Sequence, residues 1–310
     1  MKHETAGDPV SGCQWSRKST YAIARQLKCL QIAVSASTVG RLLKAQRYCL
    51  HKNRKNIEST SGKKVDPQQR NRQFLYIRRQ RREFEAKRAP ILSIDTKSRE
   101  LIGRFHQNGR RWSREPTEVL DHDFPSLAQG VAISYGLYDP VRNRGFVCVG
   151  TSRDTAEFAV DSIRTWWQQV GAQAYPNARE ILLLADCGGS NGYRNRLWKQ
   201  QLQEVLCDRL GLKVRVCHYP PGASKWNLIE HRLFSFISQN WFAQPLLSYQ
   251  TMLNFIRTTR TQQGLEVRAV LNRKRYEKGI SVSKQQFAQI RLKPARVNPL
   301  WNYSILPAKW

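Results

Sequence analysis

Acidic residues are scarce in this 310-residue chain, with 23 Asp and Glu against 52 Lys and Arg and a formal net charge of +29. Solubility needs far less charge, and a field of this sign draws in phosphate backbones with an affinity that falls steeply with salt. Paired cysteines are also lacking. The seven present, Cys13, Cys29, Cys49, Cys148, Cys187, Cys207 and Cys217, are odd in number and never spaced C-x-x-C. That argues against a zinc site and a disulfide framework, and suits a reducing cytoplasm. No apolar run approaches the ~20 residues of a membrane span, and none near the N-terminus resembles a signal peptide. A basic amphipathic helix with a clean apolar face is missing too, so the charge does not point to a membrane. The glycine-rich stretch Gly188-Gly189-Ser190-Asn191-Gly192 lacks the Lys-Ser/Thr of a P-loop and the Rossmann glycine spacing, so it reads as flexible backbone rather than a cofactor loop. No repeat or low-complexity tract occurs.

The basic residues are unevenly placed. Residues 1–90 hold 21 Lys and Arg against 6 Asp and Glu, about half of the excess in under a third of the chain. Residues 1–14 are polar, with Gly7, Pro9 and Gly12, and read as irregular. Ser19 can cap a helix with Ile23, Ala24 and Leu27 on one face, and Ser35 or Ser37 can cap a second at 38–46. In that second helix Val39, Leu42 and Leu43 are expected inward, and Arg41, Lys44 and Arg47 outward. Two short helices with a tight break match helix-turn-helix spacing, the second being the candidate recognition helix; an ordinary two-helix hairpin has the same pattern. Residues 48–55 suit a wing. Residues 66–88 read as one helix anchored by Phe74, Ile77 and Phe84, with a dense basic run at Arg78, Arg79, Arg81 and Arg82 that favours a polyanion. The expected organisation is a helix-turn-helix DNA-binding domain at 1–52, a basic linker and helix at 53–89, a catalytic domain at 90–265 and a C-terminal extension at 266–310.

Beyond Pro90 the texture becomes α/β. Strands are expected at 91–95, 131–138, 145–150, 180–186 and 213–218, with helices at about 154–170, 193–210, 225–239 and 249–263 and a less regular tail. Three antiparallel-compatible strands followed by βαβ crossovers fit a mixed five-stranded sheet with helices on both faces. The first and fourth strands then lie side by side and parallel, ≈4.8 Å apart. Asp95 ends the first and Asp186 the fourth, so both emerge at one sheet edge. Glu230 lies on the helix after Pro220-Pro221-Gly222. Taken alone, a strand-end Asp is more often a cap or turn former, and a helical Glu beside His and Arg is more often a surface ion pair. Together the three make a hard all-oxygen site suited to Mg²⁺ or Mn²⁺. Such a site in a polyanion-binding chain points to chemistry on nucleic-acid phosphodiesters. Asp139 and Asp154 are rival ligands, read instead as a turn residue and a helix cap. His218 reads as structural, while Trp166, Trp167, Trp198 and Trp241 sit at core spacing. Trp226 suits either the core or a base stack. Lys225 and His231 suit contact with a phosphate or a solvated helix face.

The order Asp, Asp, Glu on these elements resembles the ribonuclease-H-like core of DDE transposases and retroviral integrases. Longer phrases are more specific: Asp95-Thr96-Lys97 with Glu100-Leu101-Ile102-Gly103, Asp154-Thr155-Ala156-Glu157-Phe158, Gly188 to Gly192, His218-Tyr219-Pro220-Pro221-Gly222, Lys225-Trp226-Asn227, Ile229-Glu230-His231-Arg232 and Trp301-Asn302-Tyr303. These resemble the ISAzo-type bacterial insertion-sequence transposases over nearly the whole chain. The resemblance implies metal-dependent cutting and joining of DNA with Asp95, Asp186 and Glu230 as the triad. It implies two Mg²⁺ ions, with Mn²⁺ as substitute, and no small-molecule cofactor. The implied partners are double-stranded DNA, as element ends and target, and further copies of the chain, in a bacterial cytoplasm at the nucleoid. A nuclease of the same fold and an inert DNA-binding remnant share these features. Cys187 stands where the family pattern has glycine and Ala223 where it has threonine, and the N-terminus looks short by a helix-turn-helix segment.

Overall fold

The computed structural model describes residues 5–7, 14–16, 18–46, 48 and 66–308; Arg47 and most of the expected wing and linker lie outside them. The chain divides into two units, Met1–Ile57 and Glu58–Trp310.

In the first unit β1 (Thr5–Gly7) pairs antiparallel with β2 (Gln14–Ser16), so part of the start expected to be irregular is a short ladder. Helices α1 (Thr20–Cys29) and α2 (Ala36–Ala45) follow. Ser19 accepts from the Ala22 N–H and Ser35 from the Thr38 N–H, each satisfying a donor that the first turn leaves open. Ile23 and Val39 are buried, but Leu42, expected inward, is 52% exposed. Two ten-residue helices cover only one narrow stripe of each other, and Leu42 falls outside it. Arg41 and Lys44 are exposed on α2.

The second unit begins with α3 (Pro67–Ala86), capped by Asp66, and continues with β3 (Ile91–Thr96), β4 (Glu100–Ile102), β5 (Gly130–Asp139) and β6 (Arg144–Gly150). Then come α4 (Ala156–Trp166), α5 (Ala172–Ala174), β7 (Glu180–Ala185), α6 (Arg196–Gln201) and β8 (Lys213–His218). The remainder holds α7 (Ser235–Asn240), α8 (Tyr249–Thr258), β9 (Glu266–Asn272), α9 (Lys284–Ala288), β10 (Leu292–Pro294) and β11 (Asn302–Ile305). The sheet order is β10-β11-β8-β7-β3-β5-β6-β9, with β4 on β5.

Its centre, β6-β5-β3-β7-β8, is ribonuclease-H-like: β3, β5 and β6 are antiparallel neighbours, while β7 and β8 run parallel to β3. The expected five strands are there, but the sheet has nine. Strand β9 lies parallel to β6, and β11 antiparallel to β8. Both come from the tail expected to be irregular, where each apolar stretch is too short to read as a strand without its neighbour. The boundaries drawn at 89/90 and 265/266 therefore fall inside this unit.

Alternation along the strands feeds two layers. On one face Leu92, Ile94, Tyr135, Leu183 and Val216 pack under Phe158, Ile163 and Trp166 of α4 and Trp198 of α6. On the other, Ile91, Leu182 and Leu184 meet Ile77 and Phe84 of α3, while Val147 and Val149 meet Ile229, Leu233 and α8.

Candidate active site

Parallel register sets Ile94 opposite Ala185, so Asp95 in β3 and Asp186 just past β7 leave the sheet side by side. The third carboxylate arrives from the segment after β8. A tight turn at Ser224–Trp226 leads to Asn227, and Glu230 opens a π-turn, Glu230–Phe234, that runs into α7. The stretch from Ile229 to Phe234 settles closely on the sheet because β5 has Gly136 opposite Asp95; a Cβ there would lie 2.4 Å from Phe234 and 2.9 Å from Ile229.

Asn227 ties the acids together. It is wholly buried, and its Nδ2 donates to Asp186 Oδ1 at 3.1 Å and towards Asp95 Oδ2 at 3.4 Å. Its Oδ1 accepts from Ser93 Oγ at 2.5 Å. Ser93 Oγ itself accepts from the Ile229 N–H at 3.2 Å, so its proton must point to the amide oxygen. The amide orientation follows, with the amine turned to the carboxylates.

Burial, followed by the charge of Asp186, pushes the Asp95 carboxyl up to about 8; Glu230, which shares a hydrogen bond with it, adds to the rise, and the Thr96 N–H at 2.8 Å opposes it. Burial and the charge of Glu230 raise Asp186 to about 6 against the Asn227 donor. Among the described residues no cation forms an ion pair with any of the three. Nor do three His, Cys, Asp or Glu side chains stand at the spacing of a finished metal cage among the described residues. The arrangement is one of crowded carboxyls relieved by a proton. A divalent cation offers the same relief to the same hard oxygens, so the donor set fits Mg²⁺ or Mn²⁺.

The Asp186 backbone is braced from behind. His218 is buried, its pKa lowered to about 4 chiefly by burial, so it is neutral. Its Nδ1 donates to the Asp186 carbonyl at 2.8 Å, leaving Nε2 to accept from the Tyr303 hydroxyl at 3.2 Å; that hydroxyl accepts from Trp198 Nε1. His218 is thus structural, as expected, and β11 supports the site from the far end of the chain. Cys187 contacts the Tyr219 carbonyl at 2.9 Å, and burial with the Asp186 charge pushes its thiol up to about 12. Its φ is not positive; the left-handed turn falls at Gly189, φ +72°, so the loop takes a side chain at 187 without strain.

The rival acids have other work. Asp139 accepts from the Val141 and Arg142 N–H groups and from Tyr175, holding the turn after β5. Asp154 does not cap α4. Thr155 does, and Asp154 accepts from the Thr96 hydroxyl at 3.3 Å, one residue from Asp95. Lys97 pairs with Glu100 in a buried ion pair at 2.5 Å, which gives that sequence phrase a packing role.

Of the basic run on α3, Arg78, Arg79 and Arg82 are exposed, whereas Arg81 turns inward and meets Glu85 at 3.6 Å. Its position one turn from Ile77 and Phe84 puts it at the edge of the packed face. Lys225 and His231 are exposed beside Glu230, the His231 ring contacting the Lys225 carbonyl at 2.6 Å. Trp166, Trp198 and Trp241 are buried, but Trp226 is 55% exposed, edge-on to Phe74 at 5.8 Å. Asn227, Ser93 and Gly136 are the contributors that sequence reading missed as site residues. Asn227 one turn before Glu230 was the available signal.

Three comparisons bear on these observations. No curated protein matches the chain. Solved structures of similar shape include the Mos1 transposase paired-end complex with left transposon end, 13% identical over 77% of this chain with a TM-score of 0.45. The Mos1 mariner paired end complex with Mn and the Mos1 Strand Transfer Complex are each 14% identical over 77% of this chain, with TM-scores of 0.44. The chain covers 65% of the first of these proteins. The family model described as the Rhodopirellula transposase DDE domain matches residues 1–307, and the chain accordingly belongs to that family of DDE transposases.

Proposed function

We propose that the chain is a DNA transposase that nicks element ends and joins the freed 3′-hydroxyl to target DNA, using Asp95, Asp186 and Glu230. The observation that carries this reading is the convergence of the three acids at one sheet edge without a partner cation, in a chain of net charge +29. Asp95 faces both other acids, and Asp95, Asp186 and Glu230 are the residues that would hold the divalent ions. Bound there, a pair of Mg²⁺ ions, or Mn²⁺ in their place, supplies charge stabilisation at phosphorus and an activated attacking oxygen. Ser93 and Asn227 fix the two aspartates relative to each other, so little reorganisation remains when phosphate enters. Lys225 and His231 stand where they can contact the phosphate beside Glu230. No protein nucleophile is needed, because water and then the 3′-hydroxyl attack.

Residues 1–52, with Arg41, Lys44 and Arg47, serve as the DNA-reading part, and the exposed Arg78, Arg79 and Arg82 with the basic segment at 53–89 track the duplex, while Arg81, turned inward, does not take the DNA contact expected of it. Residues 90–265 carry the chemistry and 266–310 extend it. Copies of the chain pair on element ends in the cytoplasm at the nucleoid.

The test is Mg²⁺-dependent nicking of duplex DNA carrying the sequences that flank the gene, followed by joining of a 3′-hydroxyl oligonucleotide to a plasmid. The parent should do both and Asp95→Asn neither. Nicking without joining would leave a nuclease. Equal activity in parent and Asp95→Asn would remove the active-site assignment.

A further inference from the structure

The sheet edge that carries the acids continues sideways into a basic cleft. Register aligns Asp95 and Thr96 of β3 with Gly136 and Tyr135 of β5, Val147 and Cys148 of β6, and Ala269 and Val270 of β9; β6 and β9 run the same way as β3 and leave the sheet at the same edge, two to three residues further on. The loops leaving β6 and β9 meet there, with the Thr151 N–H donating to the Asn272 carbonyl at 3.2 Å. Between them lies a cleft of about 470 Å³ lined by Arg153, Arg273 and Arg275, with Glu277 as its one acid. All three arginines are exposed, and among the described residues none forms an ion pair or a hydrogen bond. Lys274 differs, since its Nζ is held by Asp161 at 2.9 Å.

Three uncompensated guanidinium groups in one concavity repel each other, a cost that an anion relieves. The loops are also braced. Ser152 Oγ donates to the Lys274 carbonyl and accepts from the Tyr276 N–H, both at 3.2 Å, while the Tyr276 hydroxyl donates to Asp161 at 2.8 Å. The arginines therefore project from a fixed base. Asp154, next to Arg153, accepts from Thr96, next to Asp95, so the cleft and the acids share one support. Two to three strand spacings of ~4.8 Å separate the cleft from Asp95 across the sheet by at least roughly 10 Å, a span of about three nucleotides or more at ~3.4 Å of rise each.

We infer that this cleft holds the phosphodiester backbone of the DNA strand flanking the bond at the acids, gripping it by charge rather than by sequence. The inference rests on the nucleic-acid reading of the acid site and adds a second, separate point of contact. Guanidinium forks suit phosphate oxygens, and contacts to the backbone carry no sequence information.

The experiment measures duplex DNA binding by fluorescence anisotropy over a KCl series without divalent metal, for the full chain. Three variants accompany the parent: a triple Arg153→Gln, Arg273→Gln, Arg275→Gln; a triple with Lys at the same positions; and Arg275→Gln alone. The slope of log affinity against log salt should become shallower by about two to three in the Gln triple and about one in the single variant, and stay near the parent's in the Lys triple. Arg209→Gln, at the opposite end of the sheet, should leave it unchanged. A folded Gln triple or Arg275→Gln with the parent's slope and affinity would overturn the cleft while leaving the acid site intact. A parent that neither binds nor nicks DNA would overturn both readings.

Discussion

The two ends of the same strands treat carboxylates in opposite ways. At the entry of β7, Glu180 is surrounded by Lys87 at 2.8 Å, Lys213 at 3.4 Å and Arg215 at 3.8 Å. Burial would raise its pKa, but the Lys87 hydrogen bond and the charges of Lys213, Lys87 and Arg215 together pull it below the usual value. At the exit, Asp95 and Asp186 are half-buried without any such cation and rise to about 8 and about 6. Glu180 binds the end of α3 and the strands into one body. The exit acids destabilise the fold whenever they ionise together, and that burden is what a bound cation would lift. Within one sheet, charge neutralised inside the protein supports structure, and charge left for something else marks the site.

The largest effect should come from breaking the exit end. Asp95→Asn, Asp186→Asn or Glu230→Gln should each lower Mg²⁺-dependent nicking by roughly 10³-fold or more, as for a group acting on charge that develops at the reacting centre. Yet Asp95→Asn should raise the melting temperature of the metal-free protein at pH 8, because it removes an ionisation that opposes folding. Glu180→Gln should do the reverse. It should leave nicking within a few-fold while costing about 1–3 kcal/mol in denaturant unfolding, since three cations lose their partner.

The pH dependence separates the ends next. A folded pKa raised above the unfolded ~3.9 means that stability is fully present below that value and is lost as pH rises through the folded one. Asp186 should contribute its loss between about 4 and 6, and Asp95 continue it to about 8. Metal-free melting temperature should therefore fall from pH 5 to pH 8.5, and Mn²⁺ should restore more at pH 8.5 than at pH 5. Glu180 behaves oppositely: its lowered pKa gives stability above the unfolded value of ~4.3, lost only in stronger acid. A flat or rising melting profile between pH 5 and 8.5 would contradict the account of the exit end.

Smaller effects sharpen the comparison. Asn227→Ala leaves Ser93 without its acceptor and both aspartates without their donor, and should cost about 1–3 kcal/mol by chemical denaturation. It should also weaken Mn²⁺ binding in calorimetry, because the two carboxylates lose their common support. Lys87→Ala, at a side chain 47% exposed, should cost no more than ~1 kcal/mol in the same unfolding assay.

What the sequence made legible follows from locality. Apolar runs ending in Asp95 and Asp186 located two strands to within a residue, and βαβ order made them neighbours. Ser19 announced its helix, and Ser35 or Ser37 the next, because a cap needs only three residues; Ser35 is the cap, and the helix starts at Ala36 rather than 38. What stayed hidden depends on distant partners. The Ser93–Asn227 bond spans 134 positions, and nothing near Gly136 signals that Phe234 will press on it. Strands β9 and β11 are held by β6 and β8, not by their own pattern. Asp154 and Thr155 are both able to cap; the hydroxyl of Thr96 claims the first and leaves the second. Arg81 looks like its exposed neighbours until the helix is seen against its sheet, and Leu42 and Trp226 are exposed where their hydrophobicity argued for burial.

The central claim is that the acids at the strand exits are a divalent-cation site. A crystal structure at pH 8 in saturating Mn²⁺, with anomalous data, tests it most directly. The expected result is Mn²⁺ peaks bound by carboxylate oxygens of Asp95, Asp186 and Glu230, absent from Asp95→Asn. Ordered, ion-free carboxylates at those three residues in saturating Mn²⁺ would contradict it.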